Sequence, residues 1–198
     1  MVSFYYGDIK KMRTNNLKSE SKKNKTEDMV LISFFTIFMA ICSLIVIPTI
    51  VPFTLQTFAV FLAVAVLGGK RGTIAICIYL LLGIIGVPVY SGGTAGVGVL
   101  LGNTGGYLIG WIFSGLVMWG MEKLFGRKTW VLVISMLMGL LVCYILGTAW
   151  FMFVYARKVG EIGLWTAVVL CVLPFIIPDL LKIGLALAVN KKISRILQ

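Results

Sequence analysis

Long stretches almost without charge recur along this chain of 198 residues, and short clusters of lysine and arginine separate them. The first stretch, Met29–Pro48, holds about twenty residues, enough for a helix to span a hydrocarbon core of about 30 Å. A soluble domain cannot accommodate so many uncharged segments, because its water-facing surface needs charged side chains. We therefore predict that lipid is the solvent for most of the chain.

The overall composition agrees with a membrane protein and weakens an enzymatic interpretation. Hydrophobic residues make up 60% of the chain and charged residues 13%, against about 45–50% and about 25% in ordinary soluble domains. The chain has no histidine, the side chain most often used as a general base or metal ligand. Its four cysteines lie singly in apolar stretches, so we interpret them as packing residues. The sequence thus predicts no metal and no cofactor.

Six apolar segments are predicted to cross the membrane as an all-α bundle. They are Met29–Pro48, Leu55–Leu67, Thr73–Val87, Gly105–Leu124, Thr129–Tyr155 and the last part of Ile162–Val189. The second segment is short and follows the proline-bounded linker Pro48–Pro52. Its helix is predicted either to span only a thin layer of the membrane with little tilt, or to begin in an irregular piece around Thr54 and Gln56. Such an irregular piece would be packed against protein or water.

The last apolar stretch is too long for one untilted crossing and is interrupted by Pro174 and Pro178. We predict a short helix over Leu164–Leu173 at the outer interface, then a new helix with Pro178 at its first position, where a missing N–H costs nothing. Asp179 would lie in the first turn, where a negative charge suits the helix dipole. A single kinked helix over Gly163–Val189 is the alternative.

The distribution of basic residues predicts that both termini are cytoplasmic. Of the eighteen lysines and arginines, fifteen fall in the first 25 residues or in other segments on the inner side of a six-crossing chain, and only Arg157 and Lys158 fall in an outer loop. This bias follows the positive-inside rule and accounts for the net charge without nucleic acid as a partner. Residues 1–28 are interpreted as a basic cytoplasmic tail that suits anionic membrane lipid, and residues 29–198 as the transmembrane domain.

Asp179 is the one acidic residue away from the ends of the apolar segments, and Lys182 is the one basic residue there. Their spacing of three places both on one face of a helix. An ionisable pair inside a membrane costs free energy and is by default a functional-site hypothesis. The alternative is a pair that satisfies itself, with Lys182 reaching towards an interface. A site with one carboxylate and one ammonium suits a small polar solute better than a bare cation.

A glycine-rich, uncharged loop over residues 88–104, here called the outer loop, is a second candidate for function. It offers the ring of Tyr90, the amide of Asn103 and close backbone approach at Gly92. Its length and apolar residues favour a lid packed on the bundle over a flexible linker. A nucleotide-binding P-loop is not predicted, because Arg71 stands where that motif needs serine or threonine.

Four ordered motifs closely resemble the BioY family, the biotin-specific membrane subunits of energy-coupling-factor (ECF) vitamin transporters in bacteria and archaea. The motifs are VPFTLQTFAVFLAVAVLGGKRG, YLLLGIIGVPVYSGG, LLGNTGGYLIG and VLPFIIPDLLK. The resemblance spans about Met29 to Asn190. It implies a six-helix subunit of the cell membrane that captures biotin at the outer face. It also implies a transmembrane coupling protein (the T component) and two ATPase subunits as partners.

The resemblance further implies a pocket in the outer half of the bundle. Carried over position by position, its residues are Thr54, Gln56, Tyr90, Gly92, Asn103, Tyr144, Trp150, Asp179 and Lys182. The family docks its coupling protein through a small-x-x-x-small face on the first helix, for which the best match here is Thr36 to Ala40.

The chemistry of biotin suits the pair of ionisable residues. Asp179 is expected to accept a ureido N–H, and Lys182 to meet either the ureido oxygen or the valerate carboxylate. Tyr144 or Trp150 would pack on the bicyclic ring. Two other functions stay open from the sequence: a membrane-embedded enzyme and a subunit of similar architecture for a different vitamin.

Overall fold

The computed structural model describes residues 25–49 and 51–196, and most of these residues are helical. The helices are α1 (Lys25–Leu44), α2 (Gln56–Leu67), α3 (Gly69–Ile84), α4 (Val97–Leu100), α5 (Gly105–Phe125), α6 (Thr129–Lys158), α7 (Leu164–Cys171) and α8 (Leu173–Ile196). The predicted tail lies outside the described residues as far as residue 24, and its last four residues, Lys25–Asp28, form the start of α1.

Among the described residues, four helices are long and apolar enough to cross a membrane, namely α1, α5, α6 and α8. Exposed side chains on α1, such as Phe34, Ile37 and Ile41, are large and apolar, as expected of a surface that contacts lipid. These helices indicate a multi-pass membrane protein. With 12 and 16 residues, α2 and α3 are shorter than the roughly 20 that a span needs. Six crossings and cytoplasmic termini therefore stay predictions.

The short helix α2 lies in the interior of the bundle. Ten of its residues are buried, among them Phe58, Phe61 and Leu62. A helix that is apolar on all sides is expected to be surrounded by other helices, and α2 packs against both α3 and α8. Because protein surrounds α2, its length need not match the thickness of the bilayer.

The junction between α2 and α3 is a single residue, Gly68, whose φ of +85° favours glycine. Two charged side chains complete the hydrogen bonding at this junction. Arg127 donates to the carbonyl of Ala65 at 2.8 Å, and Glu122 accepts from the backbone N–H of Gly69. Arg127 and Glu122 also form an ion pair of 3.4 Å. Arg127 and Glu122 thereby supply partners for backbone groups that helix ends leave unsatisfied.

The linker between α1 and α2 is irregular, as one of the two sequence interpretations predicted. Strands β1 (Val46–Ile47) and β2 (Phe53–Thr54) pair antiparallel across it, and α2 begins directly afterwards at Gln56. The hairpin ties the start of α2 to the end of α1, so the side chains of β2 and of the first turn of α2 are held at one end of the bundle.

The prediction of a helix beginning at Pro178 is wrong. The break between α7 and α8 falls at Val172, with φ −123° and ψ −56°, and α8 begins at Leu173 with Pro178 inside it. Asp179 therefore lies in the second turn rather than the first. The single kinked helix is also wrong, because of the same break. Pro174 suits a first turn, and neighbouring helices let a membrane helix tolerate an internal proline.

The outer loop packs on the bundle, as the lid interpretation predicted. The fully buried ring of Tyr90 lies across α3 at Gly83, where a Cβ atom would stand 2.1 Å from Tyr90 Cζ. The Tyr90 hydroxyl donates to the carbonyl of Leu80 at 2.6 Å. Val99 and Leu100 also pack against the core. Glycine at position 83 is thus a steric requirement for anchoring the loop.

Candidate binding site

A cleft opens between the outer loop, the start of α2, and helices α5 to α8. It encloses about 670 Å³ free of protein atoms, a volume that includes open solvent at its mouth. Six of the residues predicted from the sequence line it, namely Thr54, Gln56, Tyr90, Tyr144, Asp179 and Lys182. The predicted site residues from β2, α2, α6 and α8 thus converge on one cavity.

The ionisable pair lies buried in the wall of this cleft. Asp179 and Lys182 are 3% and 6% exposed, and Lys182 Nζ donates to Asp179 Oδ1 at 2.8 Å. The hydroxyl of Tyr144 donates to the other oxygen, Oδ2, at 2.7 Å. Each carboxylate oxygen retains a further lone pair for an incoming donor. The carboxylate is therefore held in a fixed orientation and can still accept hydrogen bonds.

An aromatic ring covers the ammonium group of Lys182. Lys182 Nζ lies 4.1 Å from the centroid of the Phe53 ring, a distance at which a cation–π attraction operates. Phe53 stacks in turn on Phe175, with ring centroids 6.1 Å apart. The strand β2 therefore contributes to the site by restricting Lys182, a role that the sequence analysis did not assign.

A second polar group lies at the start of α2. The hydroxyl of Thr54 donates to Gln56 Oε1 at 2.9 Å, and Gln56 Nε2 donates to the hydroxyl of Tyr79. Tyr79 donates to the carbonyl of Val89 in the outer loop at 2.6 Å. This chain of hydrogen bonds connects the cleft to the outer loop, so the two cannot move independently without breaking it.

The remaining wall is mainly aromatic and aliphatic. It includes Tyr107 and Trp111 of α5 and Leu140 and Cys143 of α6. Tyr107 packs over Gly147, where a Cβ atom would stand 2.2 Å from its ring. Such a surface offers dispersion contacts and apolar burial to a ring without charge.

Three of the predicted pocket residues do not line the cleft. Trp150 donates from Nε1 to the carbonyl of Gly102 at 3.0 Å and so fixes the end of the outer loop. Gly92 is an exposed residue of the short 3₁₀-helix, with a φ of +67°. Asn103 has a buried side-chain oxygen, Oδ1, that lacks a hydrogen-bond partner within the described part of the chain.

The predicted docking face on α1 is partly turned inward. Thr36 is buried, and its hydroxyl donates to the carbonyl of Ala75 on α3 at 3.3 Å. Ala40 is partly buried and packs against the core. Docking of a coupling protein through these two residues stays a prediction.

Sequence reasoning missed Tyr107, Trp111, Phe53 and Phe175. Only Phe175 carried a usable signal, since it stands four residues before Asp179 and therefore shares its helix face. The other three are aromatic residues among many in apolar segments, and only the tertiary packing distinguishes them from lipid-facing or core residues.

Comparisons with known proteins agree with this geometry. Residues 12–198 match the sequence model of the BioY family. Identity is 40% over 134 residues to the biotin transporter BioY2 of Lactococcus lactis subsp. cremoris, covering 67% of this chain and 73% of the relative. It is 40% over 144 residues to the probable biotin transporter BioY of Pyrococcus horikoshii, covering 73% and 81%.

The fold is similar to the crystal structure of the S-component for biotin from an ECF-type ABC transporter. The TM-score is 0.77 at 29% sequence identity, and the match covers 87% of this chain and 93% of that one. The family match and the structural match both extend over nearly the whole bundle that forms the cleft. This chain belongs to the BioY family.

Proposed function

We propose that this chain binds biotin in the cleft and is the substrate-binding subunit of an ECF transporter in a bacterial or archaeal cell membrane. The observation that carries the proposal is the buried pair of Asp179 and Lys182, held by Tyr144 beside an aromatic wall. Biotin combines ureido N–H donors, a ureido oxygen, an apolar thioether ring and a carboxylate. The transporter relatives and the biotin S-component support the same substrate.

In the proposed complex, Asp179 accepts a ureido N–H and Lys182 donates to the ureido oxygen. The charges favour this orientation over the one in which Lys182 meets the valerate carboxylate. Lys182 is the one basic residue lining the cleft within the described chain, and Asp179 already neutralises it at 2.8 Å. A valerate carboxylate at the same place would leave an uncompensated negative charge in a buried site, which is costly. The valerate therefore points towards the mouth.

The aromatic wall suits the bicyclic part of biotin. Tyr144 is held in position by its hydrogen bond to Asp179, while Tyr107 and Trp111 present apolar surface. Trp150 acts indirectly, by fixing the outer loop through Gly102. Contact of Asn103 with biotin stays a prediction, since Asn103 does not line the cleft and its side-chain oxygen is buried without a partner in the described chain.

Transport requires partners in this proposal. The Lactococcus relative of this chain is a biotin transporter, and the sequence lacks the P-loop pattern around Lys70 and Arg71. A transmembrane coupling protein and two ATPase subunits supply the energy, while this chain captures biotin at the extracellular side. Both termini lie in the cytoplasm, as the basic residues indicate.

Titration of the purified, detergent-solubilised chain with biotin tests the proposed substrate. Trp111 lines the cleft and provides a fluorescence signal, and calorimetry gives the stoichiometry. We expect one biotin per chain, with no competition from thiamine or riboflavin. Binding of another vitamin in place of biotin would reassign the substrate, and turnover of the bound molecule would support an enzyme.

A further inference from the structure

A second cleft lies at the opposite end of the bundle from the biotin site. It is formed by the ends of α2 and α5, the start of α6 and the last turns of α8, and encloses about 1750 Å³ free of protein atoms, including open solvent. We call it the basic cleft, because Arg127, Lys128, Lys191 and Arg195 line it. The biotin proposal does not use any of these residues.

Three of these four charges have no acidic partner among the described residues. Arg127 pairs with Glu122, the one acidic residue that lines the cleft. The second oxygen of Glu122 is taken by the backbone N–H of Gly69. Lys128, Lys191 and Arg195 form no ion pair within the described chain. Like charges in one concavity repel each other, so the cleft favours an anion.

The start of α6 adds to the positive potential of the basic cleft. The helix has 30 residues, begins at Thr129 after its N-cap Lys128, and has neither a side-chain cap nor an acidic residue in its first turn. Its first N–H groups therefore keep their hydrogen-bonding capacity, and the helix dipole places positive charge there. Lys128, Thr129 and Val131 all line the cleft.

Apolar side chains form the floor of the basic cleft. Val64, Met118 and Val131 line it and are buried, and Leu187 continues the floor along α8. A free inorganic anion would gain nothing from this floor. A phosphodiester carrying acyl chains would use both parts, with its phosphate at the basic rim and its hydrocarbon along the helices.

We propose that the basic cleft binds the headgroup of an anionic phospholipid of the cytoplasmic leaflet. With the orientation argued from the positive-inside rule, this end of the bundle faces the leaflet that carries anionic lipid. Lys128, Lys191 and Arg195 hold the phosphate together with the N-terminus of α6. The lipid then joins α6 to α8 at the end of the bundle away from the biotin site.

Native mass spectrometry of the full chain in detergent tests this proposal, with phosphatidylglycerol and phosphatidylcholine of the same acyl chains as probes. We expect phosphatidylglycerol to be retained at an at least about tenfold lower concentration than phosphatidylcholine. Millimolar inorganic phosphate should not displace it. Equal retention of the two lipids would overturn the proposal without any variant, and displacement by phosphate would assign the cleft to a free anion instead.

Two variants of equal net charge locate the site. The cleft variant combines Lys128→Gln, Lys191→Gln and Arg195→Gln, and the control combines Lys70→Gln, Lys123→Gln and Lys192→Gln, none of which lines the cleft. We expect the cleft variant to lose at least about tenfold in retention of phosphatidylglycerol and the control less than about twofold. Equal losses would overturn the assigned location.

Biotin titration checks that both variants are folded, since neither touches the biotin site. Unchanged lipid retention by the cleft variant, together with loss of its copurifying coupling protein, would assign the basic cleft to that partner and overturn the lipid proposal.

Discussion

The carboxylate of Asp179 has both oxygens engaged, one by Lys182 and one by Tyr144. A buried ion pair of this kind gives little net stability, because desolvation of the two charges offsets their attraction. Its presence in an otherwise apolar part of α8 therefore favours a binding role over a structural one.

The double variant Asp179→Leu with Lys182→Leu should keep its fold and lose biotin. Replacement of a buried pair by apolar residues is often neutral, or stabilising by about 1–4 kcal/mol. We expect the thermal unfolding temperature in detergent to be unchanged or higher and biotin binding to be undetectable. Lys182→Leu alone should lower that temperature, because it leaves a buried carboxylate uncompensated. A large loss of stability in the double variant would instead indicate a structural pair.

The orientation of biotin is tested with Lys182→Met and an uncharged ligand, biotin methyl ester. If Lys182 meets the ureido oxygen, the substitution weakens both ligands by a similar factor, about tenfold for a hydrogen bond to a charged group. Calorimetry of both ligands on both proteins provides the comparison. A loss confined to biotin itself would place the valerate at Lys182 and reverse the orientation.

At the element scale, the outer loop is held by side chains that occupy space left by glycine. Tyr90 lies against Gly83 of α3 and hydrogen-bonds to the carbonyl of Leu80. The chain from Gln56 through Tyr79 to Val89 links the same loop to the cleft. Loss of the Tyr90 anchor should therefore affect stability and biotin binding together.

Gly83→Ala tests this coupling. The added methyl group would overlap the Tyr90 ring, and overpacking of this kind costs about 1–3 kcal/mol. We expect a lower unfolding temperature and weaker biotin binding, read by thermal shift and calorimetry. Gly120→Ala is the matched control, because nothing in the described chain lies within 4 Å of its added Cβ atom. Equal behaviour of the two variants would remove the role assigned to Tyr90.

The sequence predicted the helical bundle and the ionisable pair, because long uncharged segments and intramembrane charges are each rare enough to be informative. It did not predict where α8 begins. Proline is compatible with the first turn at Pro174 and with the interior at Pro178, and only packing against neighbouring helices decides between them. The aromatic residues Phe53, Tyr107 and Trp111 were missed because apolar segments contain many rings, and the sequence does not show which ones face a cavity.

At the scale of the whole molecule, the two clefts lie at opposite ends of one bundle. The biotin site uses the start of α2 and of α8, whereas the basic cleft uses their ends. Helices α2 and α8 pack against each other between the two sites. The orientation of the molecule in the membrane therefore decides which compartment each cleft faces.

Single cysteines introduced at the two ends of the bundle test that orientation. Glu161→Cys lies in the loop between α6 and α7, and Lys192→Cys lies near the end of α8; both positions are exposed. A membrane-impermeant maleimide should label the first in intact cells and the second only after permeabilisation. The native cysteines are buried or partly buried, so the unmodified chain gives the background. Labelling of Lys192→Cys in intact cells would contradict cytoplasmic termini.

The most direct test of biotin binding at the ionisable pair is calorimetric titration of the chain and of Asp179→Asn with biotin. Glu161→Gln, an exposed acid outside the cleft, serves as the control. We expect one biotin per chain, an affinity lowered at least about tenfold by Asp179→Asn, and no change in the control. Affinity within about twofold of the original in a folded Asp179→Asn protein would contradict it.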